Sequence, residues 1–255
     1  MCICPLPSPP TSLQTLGSLL RTFAFGVLLF KTLSQKSNAG LSNKTLQAYA
    51  AVFILRLCSI LVYEGYLPYD KSGDWFYQAS ELASLGLVVY LLWSVATQFP
   101  HTYNKNVDIF GDGFGLPSHA TVLILVGPAV LIGLFLHPTL NGNFLTDTAW
   151  ATALYIEAVA ILPQLLLLQR RGGHVDDMLA NYVFALGAAR VMTFVFWLSS
   201  HHELNDRYST SFGASFPGYA VLLAQLIHLA LMGNFMFLYL ESARRGHPMQ
   251  LPLPS

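Results

Sequence analysis

Glu157 is the residue whose type and position first demand a chemical account. It lies near the middle of residues 148–171, TAWATALYIEAVAILPQLLLLQRR, a stretch long enough to cross a bilayer. An ionised group at that depth is expensive and needs a partner. Trp150, Glu157 and Gln164 are spaced by seven, so at helical pitch each is displaced by only about 20° from the last and the three form one stripe. That stripe is expected to face protein or a cavity. Pro163 interrupts the backbone ladder, which membrane helices tolerate where neighbouring helices or water satisfy the freed groups.

The bases available to Glu157 are Arg21, Arg56 and Arg190, which lie within apolar runs. Arg56 shares a helix face with Ser59, and Arg190 shares one with Thr193 and Trp197. Arg56 and Arg190, both central, outnumber the one central acid. In one reading Glu157 pairs with one of them as a structural clamp while the other snorkels. In the other, the surplus positive charge receives an anion, such as a carboxylate held by charge-assisted, bidentate hydrogen bonds. Ionisable groups at mid-membrane favour the second reading.

The elements that must position these residues are membrane helices. The chain has 255 residues, 54% hydrophobic and 10% charged, with mean hydropathy +0.50; a soluble domain carries roughly 25% charge. Apolar runs of membrane-spanning length fall near 13–33, 45–63, 76–97, 120–137, 149–168, 179–199 and 216–240. Seven spans are therefore expected, 13–240 forming one transmembrane domain between an N-terminal segment, 1–12, and a tail, 241–255. Loop by loop, Lys31, Lys36, Lys44, Lys105, Arg170, Arg171, Arg244 and Arg245 fall on one side and only Lys71 and Arg207 on the other. By the positive-inside rule the C-terminus is cytosolic and the N-terminus luminal or outside. The sequon Asn43-Lys44-Thr45 then lies in the cytosol and is expected to be unmodified. LQAYAAVFILR, ending at Arg56, echoes LANYVFALGAAR, ending at Arg190. That echo suggests parallel triplets, spans 1–3 and 5–7, with span 4 as connector.

Other function classes are disfavoured. Zero formal net charge with no basic block speaks against nucleic acid. Cys2, Cys4 and Cys58 make no disulfide framework, and four prolines without a basic n-region at the start speak against a cleaved signal peptide. The eight histidines are scattered and make no metal set, and Asp70, Asp74, Asp176, Asp177, Glu203 and Asp206 read as solvated loop charges. No nucleophile motif or phosphate loop occurs, so neither an enzyme nor a cofactor is expected.

YIEAVAILPQL (155–165), NYVFALGAAR (181–190) and NAGLSNKTLQAYAAVFILR (38–56) occur together in this order, and with them the chain resembles the KDEL receptor family over roughly residues 21–253. The resemblance implies an all-α membrane fold of seven transmembrane helices in a 3+1+3 arrangement like that of PQ-loop and SWEET transporters. It also implies a receptor without catalytic activity in endoplasmic reticulum and Golgi membranes. Such a receptor binds the C-terminal KDEL or HDEL peptides of escaped luminal proteins and returns them in COPI vesicles. Arg56 matches the arginine that receives the peptide's terminal carboxylate. Glu157 and Arg190 match an acid and a base of the polar core, Trp150 and Trp197 two tryptophans around the peptide, and Asp147 an acid at the luminal mouth. Arg21 aligns with the first-span histidine linked to pH sensing.

Around these matches the family pattern changes. Ser59 replaces an aspartate, Leu57 and Ala189 tyrosines, Thr193 another tyrosine, Phe196 an asparagine, Ser200 a second ligand arginine and Asn234 a sorting aspartate. Arg244-Arg245 stand where the family carries a lysine-rich return signal. Two functions of different class follow. One is a sorting receptor for C-terminal peptides with altered specificity; the alternative is a transporter of a small anionic or zwitterionic solute. Only the fifth span carries Pro-Gln, which favours the receptor.

Overall fold

The computed structural model describes residues 12–63, 74–117, 120–140, 142–204 and 216–251. Cys2, Cys4, Asp70, Lys71, His119, Asp206, Arg207, the side chains of Asp74 and Glu203, and nearly all of the expected 1–12 segment lie outside these residues. The chain forms helices α1 (Ser12–Gln35), α2 (Asn43–Ile60), α3 (Asp74–Trp93, continued by a π-turn at Ser94–Gln98), α4 (Leu123–Phe135), α5 (Phe144–Val159), α6 (Leu162–Arg171), α7 (Asp177–Ser200) and α8 (Phe216–Arg245). Each expected apolar run is helical. Among the described residues, five helical segments are long and apolar enough to cross a membrane: Leu13–Gln35, Trp75–Gln98, Phe144–Arg171, Asp177–Ser200 and Phe216–Arg245. The two remaining runs give α2, which carries Lys44 and Arg56, and α4, whose 13 residues fall short of the roughly 17 needed to span unaided.

The segment around Glu157 is the centre of the bundle. Of its most apolar window 83% is buried, against 33% in α1 and α8. It breaks between α5 and α6, at Ala160 and Ile161, with Pro163 in the first turn of α6. The break exposes N–H groups that lack partners in their own helix. Thr45 Oγ1 accepts one of them, from Gln164 N, at 2.9 Å. The Gln164 side chain then accepts from Ser42 N (2.9 Å) and donates to the Gly40 carbonyl (2.7 Å), tying the break to the α1–α2 turn.

Asp108, from the loop after α3, accepts from Ser42 Oγ (2.9 Å), Asn43 N (2.9 Å) and Tyr103 Oη (2.7 Å). A carboxylate here complements the N-terminus of α2. Burial and the bond to Asp108 push the Tyr103 phenol up from its usual range. Lys44 donates to the Phe110 carbonyl (2.7 Å) and to Asp112 (2.8 Å). Asp176, expected as a solvated loop charge, instead caps α7 by accepting from Met178 N and Leu179 N. After α8 the chain returns to pair β2 (Gln250–Leu251) antiparallel with β1 (Gly173–His174), burying Met249 and Leu251. All these ties lie at one end of the bundle.

Packing runs α1 on α7, α2 on α5, α3 on both α1 and α2, α8 on both α5 and α7, and α4 on α5. The α1–α7 contact is tight. A methyl at Gly17 would lie 2.8 Å from Thr193 Oγ1 and 3.2 Å from the Ala189 carbonyl oxygen. Gly17→Ala is therefore expected to cost roughly 1–3 kcal/mol through overpacking. Thermal unfolding in detergent measures this, and an unchanged midpoint would contradict so close an approach.

Candidate functional site

Arg21 on α1, Arg56 on α2, Glu157 on α5 and Arg190 on α7 meet in one buried cluster, and a fifth charge, Glu81 on α3, completes it. All are at most 7% exposed. Glu157 is the hub. Its Oε1 accepts from Arg21 Nη1 at 2.8 Å and pairs with Arg190 Nη2, while its Oε2 accepts from Arg56 Nη2. Glu81 pairs with Arg21 Nη2 and lies 3.2 and 3.4 Å from Arg56 Nη1. Arg21 and Arg56 thus each bridge both acids, closing a ring of alternating charge. Arg21 also lies 5.2 Å over the Phe53 ring, a cation–π geometry. From α8, Gln225 Oε1 lies 3.4 Å from Arg190 Nη1, and His228 donates Nδ1–H to the Glu157 backbone carbonyl at 2.8 Å.

The expectation of two arginines against one acid is corrected to three against two, because Arg21 joins and Glu81 was missed. The surplus of one positive charge is the same. No arginine snorkels; all three are paired inside the protein. Glu81 carries the same signal that drew attention to Glu157, an ionisable residue inside an apolar run. His228, ionisable within the run 216–240, carried that mark too and was passed over with the other histidines, whereas the uncharged Gln225 carried none.

Toward the end of the bundle opposite the Asp108 ties, Trp150 and Trp197 meet edge to face at 5.7 Å, and Phe196 packs on Trp197 at 5.1 Å. The Thr148 hydroxyl and the Trp197 indole N–H are buried there without a hydrogen-bond partner among the described residues. Ser59 donates to the Thr146 carbonyl at 2.8 Å. Asp147, implied to lie at the luminal mouth, is fully buried in the first turn of α5. Of the positions where the family pattern changes, Ser59, Ala189, Phe196 and Ser200 are buried beside this core, whereas Asn234, Arg244 and Arg245 are exposed on α8.

The family model for the ER lumen protein retaining receptor matches residues 37–200, which hold Arg56, Glu81, Glu157 and Arg190. The chain belongs to this receptor family. Among its relatives, an ER lumen protein-retaining receptor of Drosophila melanogaster is 28% identical over 242 residues, covering 92% of this chain and 96% of the relative. ER lumen protein-retaining receptor B of Arabidopsis thaliana is 32% identical over 236 residues, again 92% of this chain and 96% of the relative. The receptor of Dictyostelium discoideum is 27% identical over 237 residues, 93% and 97%. Within the matched region Glu157, Arg56 and Arg190 form one contact set.

Removing the hub charge isolates three buried cations around a single acid. Glu157→Ala is expected to cost on the order of 3–5 kcal/mol, and Arg190→Ala, which leaves two arginines against two acids, a smaller but measurable amount. If both variants unfold in detergent at the wild-type temperature, the ring is not a structural tie.

Proposed function

We propose that the chain is a membrane sorting receptor that recognises C-terminal retention peptides of luminal proteins and returns them from Golgi to endoplasmic reticulum. The observation that carries this is the buried ring with one positive charge in excess and Arg56 as a member. One terminal carboxylate would neutralise it. Family membership supports the same reading, since the matched relatives are named as receptors that retain ER lumen proteins. It is also what disfavours a transporter. The unpartnered donors on Thr148 and Trp197 offer bonds to a peptide entering past Trp150 and Trp197. Asp147, buried in the first turn of α5, would border that path once a peptide opened it, with Arg56, Arg21 and Arg190 as its floor.

The packing supports seven spans in a 3+1+3 order within the lipid bilayer. Exchanging α1 with α5, α2 with α7 and α3 with α8 turns the α1–α7 contact into the α5–α2 contact, and the flanking role of α3 into that of α8. Helix α4 is then the connector, and 13–240 the transmembrane domain. We assign 1–12 to the lumen and 241–255 to the cytosol, where the COPI coat would engage this face. Asn43 would then be cytosolic and unglycosylated; a gel shift on endoglycosidase treatment that Asn43→Gln abolishes would reverse the assignment.

The receptor acts by binding alone. A charged hydrogen bond contributes roughly 1.5–3 kcal/mol, about tenfold to over a hundredfold in affinity. Ser200 in place of a second arginine therefore weakens acidic ligands, and Ala189 and Phe196 alter the contacts around them. Arginine keeps its charge at every physiological pH, so Arg21 in place of a histidine removes a titrating group from the ring. His228, bonded to the backbone of Glu157, remains nearby.

The test is affinity for free and C-terminally amidated tetrapeptides at pH 5.5 and 7.4. Free peptides should bind better than amides, Arg56→Ala should weaken binding by about tenfold or more, and Arg21→His should steepen the gain on acidification. Normal binding by Arg56→Ala, or a steep wild-type gain that Arg21→His does not increase, would overturn this reading.

A further inference from the structure

We propose that Glu81 is an internal competitor for the ligand: its carboxylate holds the face of Arg56 that a peptide's terminal carboxylate would take, so binding requires that Glu81 give way. The inference rests on the receptor reading and adds a residue for which that reading has no role.

Glu81 is fully buried in the first half of α3, and its contacts are to arginines on α1 and α2. Arg56 has two Nη groups. Nη2 is taken by Glu157 and Nη1 by Glu81, so a fork able to grip an incoming carboxylate is already occupied by two internal ones. The two occupants are not equally held. Glu157 is gripped by three arginines at once. Glu81 lies 3.2 and 3.4 Å from Arg56 Nη1, long beside the roughly 2.7–2.9 Å of a strong N–H to carboxylate bond. The Glu81–Arg56 contact is therefore the one a ligand displaces first.

Displacement leaves no charge stranded. Glu81 keeps its pairing with Arg21, whose other Nη stays on Glu157 and whose guanidinium remains over Phe53. Three arginines, two glutamates and one ligand carboxylate sum to zero. Beside Glu81, Thr22 and Ser84 share a hydroxyl hydrogen bond at 2.8 Å and Thr22 donates to the Ser80 carbonyl at 3.2 Å, so the α1–α3 contact that carries the Arg21–Glu81 pair is independently tied. The ring thus accepts a single added carboxylate, and the ligand class is a peptide presenting its free C-terminus.

The experiment measures affinity of the purified full-length protein for Lys-Asp-Glu-Leu as free acid and as C-terminal amide. Glu81→Gln is expected to bind the free acid about tenfold more tightly than wild type, with the amide unchanged. A merely structural role would give loss, never a gain that depends on the carboxylate. Because Glu81→Gln takes a countercharge from two buried arginines and can fail to fold, Arg21→Gln/Glu81→Gln is compared with Arg21→Gln alone, and the same gain is expected. A folded Glu81 variant that binds the free acid no better than its own reference, while wild type prefers acid to amide, overturns this inference alone. If wild type itself binds acid and amide alike, the receptor reading falls and this inference falls with it.

Discussion

A carboxylate buried in a bundle of apolar helices must be compensated, and Glu157 is compensated three times over, by Arg21, Arg56 and Arg190 on three different helices. Each arginine is itself too costly to leave alone in such surroundings. The charges are thus stable only together, and bringing them together fixes how α1, α2, α3, α5 and α7 approach one another. Small residues such as Gly17 let the backbones close to the distance that salt-bridge reach requires. A ring that balanced completely would be a clamp and nothing more. This one carries one positive charge in excess, and on that excess the proposed anion site rests.

The two ends of the bundle differ in how they are fastened. At one end Asp108, Gln164, Lys44 and Asp176 tie loops and helix starts with hydrogen bonds, and the strand after α8 is pinned beside the start of α7. At the other, aromatic packing of Trp150, Phe196 and Trp197 surrounds donors on Thr148 and Trp197 that no described residue satisfies. Buried donors without partners are rare and costly. A ligand approaching the ring from the tryptophan side, as the proposed function has it, would meet those donors.

Much of this was legible in the sequence. Apolar run length located the helices, because spanning hydrocarbon imposes a minimum length on any helix. The seven-residue spacing of Trp150, Glu157 and Gln164 placed all three in the interior, and Pro163 marked the break that Thr45 now satisfies. What stayed hidden depends on which helices become neighbours. Glu81 is visibly an acid in an apolar run, yet nothing local says that α3 packs against both α1 and α2. His228 and Gln225 gained importance only through the packing of α8 on α5 and α7. Asp176 read as a loop charge because a cap and a solvated acid look alike until the helix start is fixed.

The central claim is that the ring is the seat of a peptide's terminal carboxylate. The most direct measurement is magnetic-resonance distance detection between the ¹³C-labelled terminal carboxyl of a bound tetrapeptide and ¹⁵N-labelled arginine side chains in membranes, with Arg56→Lys assigning the signal. The account predicts a hydrogen-bonding contact between that carboxyl and the Arg56 guanidinium, formed as the Arg56 contact to Glu81 is lost. A peptide bound with its terminal carboxyl remote from Arg56 would contradict it.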